Sequence, residues 1–146
     1  MGTFSNGTIG SLMSGLGSRA AAKDIQSLIE EPTVVVETKT ASWTLTAADS
    51  GKLFLVDAVD LVATLPATVS GLRYRFLVKT VSATTGFSVS PNSADQIIGD
   101  GFTVADDKDA INTAGTDAVG DLIEVVGDGS AGWYITQVVG TWAREA

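Results

Sequence analysis

From residue 33 onward the chain alternates short apolar runs with polar breaks. TVVVET, SWTLT, KLFLVD, DLVATL, LRYRFLVKT, GFSVS, DLIEVV and GWYITQVV are rich in Val, Thr, Leu and aromatic residues, and Gly, Asp, Asn, Ser or Pro separate them. Within LRYRFLVKT the alternation has a parity, with Tyr74, Phe76 and Val78 on one side and Arg73, Arg75 and Lys79 on the other. Successive strand residues point to opposite faces, so this segment predicts a sheet with one buried face and one wet, cationic face. Runs of this kind and spacing predict an all-β fold over residues 33–146, an antiparallel β-sandwich or barrel of jelly-roll-like form. No intervening run is long enough for a crossover helix, which argues against a doubly wound α/β sheet.

Two linking segments refine the pattern. In TAADSGK, Thr46 and Asp49 have the spacing of a capping box with Asp in place of Glu, and Gly51 offers an exit, so one helical turn is predicted between SWTLT and KLFLVD. Residues 99–120 carry little apolar content and predict a long excursion with one short strand at Phe102–Val104.

Residues 1–32 follow a different period. Ile9, Leu12, Met13 and Leu16 have helical spacing, and a second segment opening at Ser18 places Ala21, Ile25, Leu28 and Ile29 on one stripe before Pro32 stops it. Helices this short are marginal alone, so the stripes call for burial, either on the chain's own β domain or on another polypeptide. The predicted organisation is an N-terminal arm, 1–32, followed by a β domain, 33–146.

Composition narrows the chemistry. The 146 residues contain neither Cys nor His, which removes disulfides, thiolate nucleophiles, His-assisted triads and most transition-metal ligand sets. No cofactor or metal is expected. The formal charge is −8; residues 1–80 balance at zero, and the excess lies between 95 and 128, where nine acidic residues face one Lys. Such a balance repels phosphate backbones, so no nucleic-acid partner is expected. No apolar run approaches the roughly 20 residues that cross a bilayer, and the first residues lack the pattern of a signal peptide. A soluble protein made in a cytoplasm, with no membrane partner, is the expectation.

Candidate sites are few. Asp106, Asp107 and Asp109 lack the spacing of a calcium loop, and GLGSR and GDGSAG lack the ending of a phosphate-binding loop. Trp43, Trp133, Trp142, Tyr74 and Tyr134 offer either a sugar-stacking platform or core and interface packing, and their place in alternating strands favours the second. Arg73, Arg75 and Lys79 either pair with acidic neighbours in the same fold or meet an acidic loop of an adjacent subunit.

The TAADSGK turn, the Leu-Pro that precedes a Gly and an alternating strand, and the closing GDGSAGW hairpin together resemble the β domains of tailed-bacteriophage capsid decoration, or cement, proteins, over about residues 42–142. The resemblance implies a non-enzymatic virion protein on the capsid exterior, bound to the major capsid protein, self-associating as a homotrimer and reaching neighbours with a terminal arm. On that implication Ile9, Leu12, Met13, Leu16, Ile25, Leu28 and Ile29 are candidate anchors, with Arg73, Arg75 and Lys79 at a subunit contact. A tail or head fibre, or a carbohydrate-binding adhesion module, is the alternative.

Overall fold

The computed structural model describes residues 33–146, and the arm anchors Ile9 to Ile29 lie outside the described residues. Eleven strands form two sheets packed as a β-sandwich. The strands are β1 (Val36–Lys39), β2 (Trp43–Thr44), β3 (Leu53–Val56), β4 (Val62–Thr64), β5 (Arg73–Val78), β6 (Gly86–Ser90), β7 (Gln96–Ile98), β8 (Ala110–Thr113), β9 (Leu122–Gly127), β10 (Gly132–Val139) and β11 (Trp142–Arg144). One sheet has the order β1-β3-β5-β9-β10-β7 and the other β11-β8-β6-β4-β2.

The sandwich matches the expectation from sequence, whereas the strand pairing is mixed rather than antiparallel throughout. β1, β3 and β5 are parallel neighbours in the first sheet, as are β2, β4 and β6 in the second. The reason is that consecutive strands alternate between sheets. A strand in the opposite sheet does the work of a crossover helix, returning the chain to the same side of its predecessor. Antiparallel pairing enters with β8 and β9, and β9 and β10 form a hairpin closed at residues 128–131. There the Asp128 carboxylate accepts the backbone N–H groups of Ser130 and Gly132 at 2.7 and 2.9 Å. These two donors hold its pKa below the ordinary value.

The core follows the predicted parity. Tyr74, Phe76 and Val78 are buried, and Phe54, Val56, Ile123, Val125 and Trp133 of the same sheet join them, with Phe87 and Val89 from the facing sheet. Its centre is aromatic: Phe76 lies 5.7 Å from Phe54, 5.6 Å from Phe87 and 6.1 Å from Trp43, centroid to centroid. These separations fall in the range where aromatic pairs add to simple burial.

The predicted turn is present as a 3-10 turn at Ala47–Asp49. The backbone N–H of Thr46 donates to Asp49 Oδ2 at 2.9 Å, and Gly51 leaves the turn at φ +86°, a conformation glycine adopts without steric cost. Tyr74 ties this turn to the core: its hydroxyl donates to the Thr46 carbonyl at 2.8 Å, and burial pushes its pKa up to about 12.

Residues 99–120 depart from expectation. Phe102 makes only an isolated bridge with Gly99, and the strand of this region is β8, at Ala110–Thr113. Its polar sequence hides a buried side: Ala110 and Asn112 are fully enclosed, and the Asn112 amide donates to Asp121 Oδ2 at 2.8 Å and to the Thr141 carbonyl at 3.0 Å. A buried amide with partners can occupy a core position that its residue type does not advertise.

Candidate interaction surface

The outward side chains of β5 begin with Arg73 and Arg75. Arg75 stands directly opposite Glu124 of β9, and its Nε lies 2.9 Å from Glu124 Oε2. Arg73 shares the same carboxylate oxygen at 3.8 Å and keeps about half of its side chain exposed. Beyond the end of the strand, Lys79 Nζ reaches Asp57 Oδ2 at 2.7 Å, and Thr80 donates to the other oxygen at 2.9 Å. Lys79 and then Thr80 hold the Asp57 carboxyl below its ordinary pKa. The cationic row therefore pairs with acidic neighbours of its own fold, one of them in the acidic stretch of the chain.

Leu77 shares the parity of these three cations, and it changes the character of the face. Following the strand register, Thr38 of β1 stands beside Leu55 of β3, Leu55 beside Leu77, Leu77 beside Leu122 of β9, and Leu122 beside Val139 of β10. Four aliphatic side chains thus form an unbroken ladder across four strands. The adjacent row runs Val36, Leu53, Arg75, Glu124, Gln137, and a third places Arg73, Val126 and Tyr134 side by side. Val36, Tyr134 and Val139 are 53%, 46% and 49% exposed, and the leucines of the ladder are half-buried. No strand or helix among the described residues forms a further layer over this face. The wet, cationic face expected from sequence is instead an aliphatic one, crossed by an internally paired row of charge.

The register of β10 shifts by one residue between Ile135 and Gln137. Before this bulge Trp133 and Ile135 point inward; after it Val138, opposite the buried Ile123, takes the inward direction. Val138 nevertheless remains 50% exposed, because the sandwich opens here. Phe102, Ile135, Val138 and Trp142 line a groove of about 220 Å³, with Asp100 beside them. Trp142 is fixed by its indole N–H, which donates to the Val139 carbonyl at 2.9 Å.

Among the five aromatic residues singled out from sequence, Trp133 and Tyr74 are fully buried and pack against each other in a tilted arrangement, with centroids 5.5 Å apart. Trp43 packs on Phe54 and Phe87, with the Lys39 ammonium 5.6 Å from its ring. Tyr134 is the one exposed member, Trp43 and Trp142 are partly buried, and Tyr134 and Trp142 do not form a common row. Asp106 accepts the Gln96 side-chain amide at 2.6 Å, and burial raises the pKa of Asp109. No group of three metal-ligating side chains converges among the described residues. No family model matches the chain, and no curated protein matches it.

Proposed function

We propose that the chain is a non-enzymatic virion structural protein that decorates the exterior of a tailed-phage capsid, self-associates as a homotrimer and braces the shell. The observation that carries this reading is the outward aliphatic ladder from Leu55 to Val139, a broad apolar face on a domain whose neighbouring charges are already paired. Such a face suits protein packing rather than turnover, because apolar area removed from water contributes about 25 cal/mol per Å² without positioned chemical groups. The resemblance of the TAADSGK turn and the GDGSAGW hairpin to capsid decoration proteins supplies the partner class. The arm, with Ile9, Leu12, Met13, Leu16, Ile25, Leu28 and Ile29, is the proposed contact with the major capsid protein.

The test is decoration of purified shells by the full chain and by a variant lacking residues 1–31, followed by cryo-electron microscopy. Added density at symmetric sites, with affinity lost in the truncated variant, is the expected result. Undiminished decoration by the truncated variant removes the arm from the mechanism; absence of any decoration removes the capsid reading.

A further inference from the structure

The outward face of the six-stranded sheet offers more than an apolar patch, because its extent and charge restrict what can cover it. Five strands about 4.8 Å apart, each contributing to the outward rows, present on the order of 500 Å² per copy. With an equal area of the neighbouring copy, this face reaches the roughly 1,000 Å² that a specific protein interface requires.

The charge on this face differs in sign from the charge of the chain. Arg73 and Arg75 face one carboxylate, Glu124, and Arg75 holds it at the shorter distance. Two guanidiniums thus share one carboxylate, which leaves this cluster with one positive charge in excess on a chain of net charge −8. A single spare guanidinium is far too little for a phosphate backbone, and the acidic excess opposes an anionic membrane. An acidic protein surface satisfies both features, and this chain supplies one in its own residues 95–128. Elsewhere two copies repel one another; at this face they do not.

We infer that copies of this chain pack on one another through the outward face of the six-stranded sheet, burying Leu55, Leu77, Leu122 and Val139 and bringing Arg73 to a carboxylate of the neighbour. The inference rests on the self-association in the proposed function and is independent of the capsid. It also differs from a contact made by continuing strand edges. In β1 the charged Glu37 and Lys39 share the direction of the buried Phe54 and Val56, and inward-turned charge of this kind guards an edge strand.

Sedimentation of the full chain, alone and with Leu77→Lys or Leu122→Lys, tests it. The wild type is expected to sediment as an oligomer, and each variant as a folded monomer by circular dichroism. In case a lysine disturbs the fold, nitroxide labels at Val36→Cys and Val139→Cys give a second reading on a chain that has no other thiol. Both sites are already exposed, so labelling is compatible with the fold. They are expected to be immobilised in the oligomer, whereas a label at Val119→Cys, 69% exposed and outside this sheet, stays mobile. A monomeric wild type overturns the inference, as does an oligomer in which Val36 and Val139 labels are as mobile as that at Val119. An oligomer of that second kind that still decorates shells leaves the capsid reading standing. A face-dependent oligomer that fails to decorate does the reverse.

Discussion

Arg75 and Glu124 stand directly opposite one another on adjacent antiparallel strands, with Nε and Oε2 2.9 Å apart and both side chains largely covered. A pair so placed stabilises the sheet modestly, by about 0.5–1 kcal/mol. Arg75→Glu sets two carboxylates against each other and should lower the unfolding free energy by about 1 kcal/mol. The exchange Arg75→Glu with Glu124→Arg should recover most of it. Urea denaturation of the four proteins of this cycle measures the coupling, and a coupling of zero would show that the pair contributes nothing.

Phe76 touches three other aromatic rings at the centre of the sandwich. Phe76→Ala should cost about 3–5 kcal/mol, a large part of the stability of a domain this size, and Phe76→Leu less than half of that. Thermal unfolding followed by near-ultraviolet circular dichroism reports both the loss and the disordering of Trp43. Equal melting temperatures for the two variants would contradict the packing described.

Gly140 faces the buried Asp121 so closely that a Cβ would stand 2.1 Å from its carboxyl carbon, and its φ of +87° is unfavourable for any other residue. Gly140→Ala should therefore displace Asp121 and break its bond to Asn112, at a cost of about 2–4 kcal/mol. Asn112→Ala should cost about 1–3 kcal/mol by leaving Asp121 with fewer partners. If the two losses share one origin, the double variant will be less destabilised than their sum; full additivity would argue against the link.

Asp60 binds the loop that leads into β6. Its Oδ1 accepts the backbone N–H groups of Thr85, Gly86 and Thr84 at 2.9, 3.1 and 3.2 Å, and these donors hold its carboxyl well below the ordinary 3.8. A depressed folded pKa means stability that is complete above the unfolded value and lost as pH falls through the folded one. Glu37, Asp49, Asp57 and Asp128 act in the same direction, and among the described carboxylates the half-buried Asp109 acts against them. The melting temperature should fall below about pH 4. Asp60→Asn, which tolerates the backbone φ of 52°, should flatten part of that fall. Superimposable pH profiles for the two proteins would assign the acid sensitivity elsewhere.

Much of this architecture is legible from side-chain alternation, and the exceptions have physical causes. Tyr74, Phe76 and Val78 announce the buried side of β5, and Thr46, Asp49 and Gly51 announce the turn before β3. Parallel pairing escapes the sequence because the returning segment is itself a strand, so no helix marks it. β8 escapes because Asn112, whose amide nitrogen donates to Asp121 and Thr141, occupies a core position. The aliphatic ladder escapes for a different reason. Leu77 alone looks like a lapse in a polar row, and only the register to Leu55 and Leu122 shows that the row is apolar. The carboxylate that neutralises Arg75 is likewise distant in sequence and adjacent only across the sheet.

The alternation of strands between sheets also governs how the chain must assemble during synthesis. From β1 to β6 each new strand follows one that belongs to the opposite layer, so β1 and β2 wait for β3 and β4, and each later strand pairs with the one made before its immediate predecessor. The tight β9–β10 hairpin comes close to the end. A ribosome-bound fragment stopping before Leu122 lacks β9, the antiparallel partner of β5, and leaves the middle of the larger layer open, so commitment to the native state waits for β9 and β10 to leave the exit tunnel.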